Sequence, residues 1–334
     1  MAVSLKPVRE QVIVITGASS GIGLATAQAA AREGARVVLA ARNDEALARI
    51  ERDITANGGT AVHVVADVSG RDDVEKIARV AIARFGGFDT WVNNAGTSIF
   101  GRLEEVPDAD SRRLFDINFW GVVYGSLAAV KHLKGRGGAL INLGSVLSDM
   151  AVPIQGMYSA TKHAVKGFTD ALRLELEAEG APVSVTLIKP TSIDTPFPEH
   201  AKNYTDREPK LPDPVYRPEE VAAAILHAAA HPERDVFVGT SGRVMSATAR
   251  QAPRLMDRLS AGVMPGQQKR DEPPRNPEGA LYKPGTGGKV RGEHPGPVMP
   301  VSLYNRADRH PVLTGLVMLG VAGAALALLS GSRK

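Results

Sequence analysis

Short, nearly continuous apolar runs alternate with longer stretches of helical periodicity over the first 240 residues. The runs lie at 11–16, 36–41, 61–66, 89–93, 139–143, 183–188 and 235–238 and are rich in Val, Ile and Leu. Runs with little apolar–polar alternation predict strands buried on both faces, as in a parallel sheet. The stretches between them, 22–33, 44–57, 72–85, 110–133, 159–179 and 218–230, predict helices. Strand, helix, strand repeated this often predicts an α/β fold, a Rossmann-type doubly wound parallel sheet with right-handed crossovers. The predicted domain boundaries are 1–240 for this unit and 241–264 for a helical extension.

Three segments leave the pattern. Residues 195–217 are rich in proline and charge and follow the sixth predicted strand. A long loop at the carboxyl end of a strand is where open α/β sheets hold ligands, so this one predicts a substrate lid. Residues 265–311, rich in Pro, Gly and charge without periodicity, predict a linker or a surface-hugging tail. Residues 312–330 carry no charge at all. As a helix they would span roughly 28 Å, close to the hydrocarbon thickness of a bilayer. A membrane-anchoring C-terminal helix is the expectation, with an interfacial, oligomer-forming or packed soluble helix as alternatives. Basic residues flank both ends, so charge does not orient it.

Charge narrows the partners. The chain carries a net +4, but from residue 265 onward 10 Lys and Arg face 5 Asp and Glu. The first 264 residues hold 30 against 31, a net of −1. A neutral body with a basic tail gives no expectation of a nucleic-acid surface. Without a single cysteine, disulfides, thiolate nucleophiles and cysteine-ligated metals are excluded. The eight histidines suggest no metal site, and the first residues contain no signal-peptide pattern.

The chemistry begins at Thr16-Gly17-Ala18-Ser19-Ser20-Gly21-Ile22-Gly23, between the first predicted strand and helix. Glycines allow a tight turn and close approach of a pyrophosphate, and the helix N-terminus supplies partial positive charge. At the end of the second strand an acidic residue would bind the adenosine ribose of NAD. Here stand Ala41, Arg42 and Asn43. A guanidinium suits a 2′-phosphate, so NADP(H) is expected over NAD(H). Asp67-Val68, after the third strand, would sit beside the adenine.

Farther along, Tyr158 and Lys162 are four residues apart on a predicted helix, on one face, with Ser145 thirteen residues upstream. A phenol titrates near 10, and a neighbouring cation favours its ionised form, giving an acid–base group usable nearer neutrality. Alone the pair is weak. With Asn93-Asn94-Ala95-Gly96, Asn118 and the run from Pro190 to Thr195 in this order, the chain resembles the short-chain dehydrogenase/reductase family over residues 8–240. The resemblance is to the family's single-domain branch, here with a C-terminal extension.

That resemblance implies catalytic roles for Asn118, Ser145, Tyr158 and Lys162. Tyr158 would be the acid–base and Ser145 would polarise the carbonyl. Lys162 would lower the tyrosine's pKa and bind the nicotinamide ribose, and Asn118 would hold a relay water. It places the dinucleotide against Thr16, Gly17, Ser19, Ser20, Gly21, Ile22, Gly23, Arg42, Asp67, Val68, Asn94, Ala95, Gly96, Tyr158, Lys162, Pro190, Ile193 and Thr195. Thr191, where the family has glycine after Pro190, is a departure at the nicotinamide end. The expected activity is NADP(H)-dependent hydride transfer between nicotinamide and a lipophilic carbonyl or secondary alcohol. A non-enzymatic dinucleotide sensor or scaffold on the same fold is the alternative. An extended-branch epimerase or dehydratase fits the glycine spacing less well. A homodimer or tetramer, at the cytoplasmic face of a membrane, completes the expectation.

Overall fold

The computed structural model describes residues 3–301. Its centre is a sheet of seven parallel strands: β1 (Val12–Thr16), β2 (Arg36–Ala41), β3 (Thr60–Val65), β4 (Thr90–Asn93), β5 (Gly138–Leu143), β6 (Val183–Pro190) and β7 (Asp235–Val238). They lie in the order β7-β6-β5-β4-β1-β2-β3. Each strand begins within a residue of its predicted position, because an uninterrupted apolar run can only be a strand covered on both sides.

The coverage follows from the two-residue period. Val12 and Val14 of β1 point into one apolar layer, Ile13 and Ile15 into the other. The second layer is closed by α1 (Gly21–Arg32), α2 (Asp44–Ala56) and later α8. The first is closed by α3 (Arg71–Phe85), α4 (Asp108–Phe115), α5 (Gly121–Leu133) and α6 (Gly156–Ala178). The short α7 (Phe197–His200), α8 (Pro218–Ala230), α9 (Thr240–Gln251) and α10 (Pro253–Gln267) complete the helices. The single helix expected over 110–133 instead contains a π turn, Asp116–Trp120, between α4 and α5. Such a turn inserts one residue into the helical ladder and re-aims the side chains around it.

Both aperiodic segments lie against the body. The loop over 195–217 is tethered at two points. Lys202–Asn203 pairs in parallel with Ile99–Phe100, and Val215–Tyr216 pairs in parallel with Val298–Met299. The part of the 265–311 segment that the structure describes lies packed on the body rather than acting as a linker, with Leu281 fully buried. Its contacts are made largely by backbone groups, which leave no hydrophobic period to read. The proposed anchor at 312–330 lies outside the described residues. Among the described residues no helix is long and apolar enough to cross a membrane.

Candidate active site

Strand order reverses between β1 and β4, and the crevice at the carboxyl ends of the strands opens there. β1 ends at Thr16 and the chain turns through Gly17, at φ +68°, toward α1. A Cβ on Gly17 would come within 2.8 Å of the Ala95 Cα, and one on Gly23 within 2.2 Å of the Gly17 carbonyl oxygen. Only glycine lets loop and helix close to this distance. Thr16 works behind the wall. Its hydroxyl donates to the Val92 carbonyl (3.3 Å) and accepts from the Asn94 and Ala95 amides (3.1 Å each), tying β1 to β4.

Ser20 is the N-cap of α1, yet its side chain makes no capping bond. Ser19, Ser20, Gly21 and Ile22 all line the crevice, so first-turn amides face it uncapped by a side chain, a cradle suited to a pyrophosphate. The Gly21 amide is the exception, donating to the Lys289 carbonyl at 2.9 Å.

Arg42 and Asn43 follow β2 directly. The Arg42 guanidinium donates to the carbonyls of Ala280 (2.5 Å) and Leu281 (3.3 Å), and Asn43 Nδ2 to that of Gly285 (3.0 Å). Burial lowers the Arg42 pKa from its ordinary value, with Asp67 opposing and Arg113 reinforcing the shift. Asp67 accepts from Arg113 at 2.6 Å and from the Ser69 amide and hydroxyl. Burial pushes its carboxyl up, but these hydrogen bonds prevail and hold it below the ordinary carboxylate value.

At the other end stand Ser145, Tyr158 and Lys162. Ser145 leaves β5 as the N-cap of a short 3₁₀ turn, its Oγ accepting from the Leu147 amide at 3.1 Å. Tyr158 and Lys162 rise from the first turns of α6 onto the same crevice, the ammonium 5.7 Å from the phenol ring centroid. Lys162 Nζ donates to the Leu143 carbonyl at 2.7 Å. Burial brings its pKa down to about 8. Burial also pushes the Tyr158 phenol up to about 12, with a hydrogen bond to the Ser145 hydroxyl pulling the other way. Lys162 contributes to neither cause; its ammonium donates to the Leu143 carbonyl instead.

The crevice encloses about 290 Å³. It brings together Gly17, Ser19, Ser20, Gly21, Ile22, Arg42, Asp67, Val68, Asn94, Ala95, Gly96, Ser145, Tyr158, Lys162, Pro190, Ile193 and Thr195. Thr16, Gly23 and Asn118 stand outside its lining. Asn118, on the π turn and fully buried, accepts from the Thr97 amide (2.9 Å) and donates to the Thr97 carbonyl (2.9 Å) and Thr161 hydroxyl (3.2 Å). Its side chain braces the wall rather than facing the crevice. Asn93 does similar work inside the sheet, donating to Asn142 (2.8 Å) and Ser126 (3.1 Å) and accepting from the Trp91 indole (2.7 Å). Thr191 is accommodated by a neighbour. A Cβ on Gly239 would lie 2.2 Å from its methyl, so the glycine absent after Pro190 reappears at the end of β7.

Sequence reasoning missed Thr97, Leu143 and Gln155 on the body side and Met245, Met264 and Gln268 on the helical extension. It also missed Ala280, Pro284 and Gly285, which belong to the tail. Asn43 was legible beside Arg42; the tail residues had no signal. The histidine reading passed over His227 and His231, one turn apart on α8, whose rings stack at 4.3 Å. Among the described residues no group of three or more His, Asp or Glu could hold a metal.

A phosphate cradle, a guanidinium beyond β2 and a Ser–Tyr–Lys cluster thus face one crevice. The short chain dehydrogenase family matches residues 11–205. The chain belongs to this family. The oxidoreductase YxnA of Bacillus subtilis is 48% identical over 328 residues, covering 97% of this chain and 92% of its own. An alcohol dehydrogenase from Thermococcus sibiricus, solved with 5-hydroxy-NADP, is 29% identical with a TM-score of 0.60. It covers 68% of this chain and 95% of its own. A short chain dehydrogenase/reductase from Burkholderia phymatum, solved with NAD, is 26% identical with a TM-score of 0.66, covering 76% and 96%. This short chain dehydrogenase is accordingly an oxidoreductase of the CH–OH/C=O class with a nucleotide-binding Rossmann fold.

Proposed function

We propose that the chain is an NADP(H)-dependent carbonyl reductase in which Tyr158 delivers the proton. The observation that carries this reading is the placement of Ser145, Tyr158 and Lys162 on one crevice with the phosphate loop and Arg42. The dinucleotide, when bound, supplies the hydride. Ser145 and Tyr158 hold the substrate oxygen between two hydroxyls, and Tyr158 gives its proton to that oxygen as negative charge develops. A phenol at about 12 suits this direction. A nascent alkoxide is far more basic than a phenolate, so the transfer runs downhill without further tuning. The reverse reaction would need a phenolate, which burial disfavours. Lys162, protonated below about pH 8, holds positive charge beside the reacting oxygen and a donor for the nicotinamide ribose. The Asn118 side chain, committed to Thr97 and Thr161, braces the wall of the crevice.

NADP(H) is favoured because Arg42, the first cation after β2, keeps donors beyond the two that it spends on the tail. Val152, Met245 and Met264 at the nicotinamide end of the lining suit an apolar substrate. The uncharged stretch 312–330 supports attachment to a membrane, where such a substrate would concentrate, and use of NADP(H) supports its cytoplasmic face. The test is consumption of NADPH and of NADH, followed by absorbance, with a panel of small ketones, ring ketones and quinones. NADPH-dependent turnover that Tyr158→Phe abolishes is expected. Tight NADPH binding with no turnover across the panel would favour a dinucleotide sensor instead.

A further inference from the structure

The adenosine half of the crevice is walled by the chain's own tail. Ala280, Pro284 and Gly285 line the same cavity as Arg42, Asp67 and Val68. Beyond them the tail crosses the phosphate loop, with the Gly288 amide donating to the Ser19 carbonyl (2.8 Å) and the Lys289 carbonyl accepting from Gly21 (2.9 Å). Three side chains of the body hold the crossing. Arg42 and Asn43 donate to tail carbonyls, and Arg113 of α4, already paired with Asp67, donates to the Leu281 carbonyl at 3.3 Å.

The crossing is fastened on both sides. Leu281 is fully buried, the Ala280 amide donates to the His200 carbonyl (2.8 Å), and the Tyr282 hydroxyl donates to Asp110 (2.6 Å). Upstream, Arg270 and Glu208 exchange a backbone bond, and downstream Val298–Met299 adds to Val215–Tyr216. The crossing thus lies against the phosphate loop and the Arg42 side of the crevice.

The two solved neighbours leave about a quarter to a third of this chain unmatched. Each is matched over at least 95% of its own length while covering at most 76% of this chain. The Bacillus relative, matched over 97% of this chain, spans the tail as well.

We propose that residues 276–292 form a strap that slows release of the dinucleotide from the crevice. The proposal rests on the cofactor reading above.

The test reads nucleotide release rather than activity. The full chain is loaded with NADPH, mixed with excess NADP⁺, and followed by the loss of bound-nicotinamide fluorescence. Leu281→Ala removes the buried anchor of the strap. Tyr282→Phe removes one hydrogen bond from a half-exposed side chain and spares the core if the first variant fails to fold. Wild type should release over minutes. Tyr282→Phe should be several-fold faster, and Leu281→Ala faster by on the order of a hundred-fold. Release within a second from wild type, unchanged in Tyr282→Phe, would overturn the strap and leave the cofactor reading standing. If wild type binds neither NADPH nor NADH, both fall.

Discussion

The two ends of the crevice are built in opposite ways. At the catalytic end, Tyr158, Lys162 and Ser145 project from a helix and a strand terminus, buried and fixed by the sheet beneath them. At the adenosine end one wall is irregular chain, held by backbone carbonyls bonded to Arg42, Asn43 and Arg113. The first arrangement gives geometric precision, which proton and hydride transfer require. The second gives closure without regular structure, because a strap needs only bonded ends and a bonded middle. What differs is the demand: chemistry needs rigid placement, whereas retention needs a barrier to exit.

The largest effect should come from the catalytic end alone. Tyr158→Phe is expected to lower the single-turnover rate of ketone reduction by about 10²–10⁴-fold while leaving the NADPH dissociation constant within a factor of two to three. A parallel loss of nucleotide affinity would mean that the two ends are not separable. Next is the pH profile. Lys162 is protonated below about 8 and Tyr158 holds its proton to about 12. Reduction should therefore be flat on the acid side and fall as pH rises through about 8, roughly tenfold per unit. In Lys162→Arg that falling limb should vanish, since guanidinium keeps its proton.

Arg42 belongs to the adenosine end, and its substitution sharpens the comparison. Arg42→Ala should weaken NADPH binding relative to NADH by roughly tenfold to a hundredfold, the value of a charged hydrogen bond to phosphate. Titrations with the two nucleotides would show it; an equal loss for both would mean that the guanidinium serves only the tail. The smallest effect concerns stability. Gly239→Ala places a Cβ 2.2 Å from the Thr191 methyl at a φ of +106°, which should cost about 1–3 kcal/mol in denaturant unfolding. Adding Thr191→Gly should return part of that loss. No return would mean that the strain lies in the backbone alone.

The same contrast explains what the sequence made legible. The seven strands could be read because each is an apolar run with both faces covered. The phosphate loop, Ser145 and the Tyr158–Lys162 pair could be read because their spacing is set by a turn and a helix. The π turn at 116–120 was invisible, since one extra residue barely disturbs a helical period. The elevated Tyr158 pKa was invisible too, because desolvation depends on what packs around the phenol rather than on its neighbours in sequence. Whether the tail is a linker or hugs the surface could not be read, because the bonds that hold it are made largely by carbonyl and amide groups that every residue possesses.

The central claim is that Tyr158 protonates a carbonyl reduced by a dinucleotide held in this crevice. Its most direct test is a single turnover. Enzyme loaded with one equivalent of NADPH is mixed with a ketone active in the steady state, and loss of absorbance at the reduced nicotinamide band is followed in wild type and Tyr158→Phe. The account predicts a complete single-turnover decay in wild type and a rate lower by about a hundredfold or more in the variant, with equal initial loading. Equal decay rates in the two proteins would contradict it.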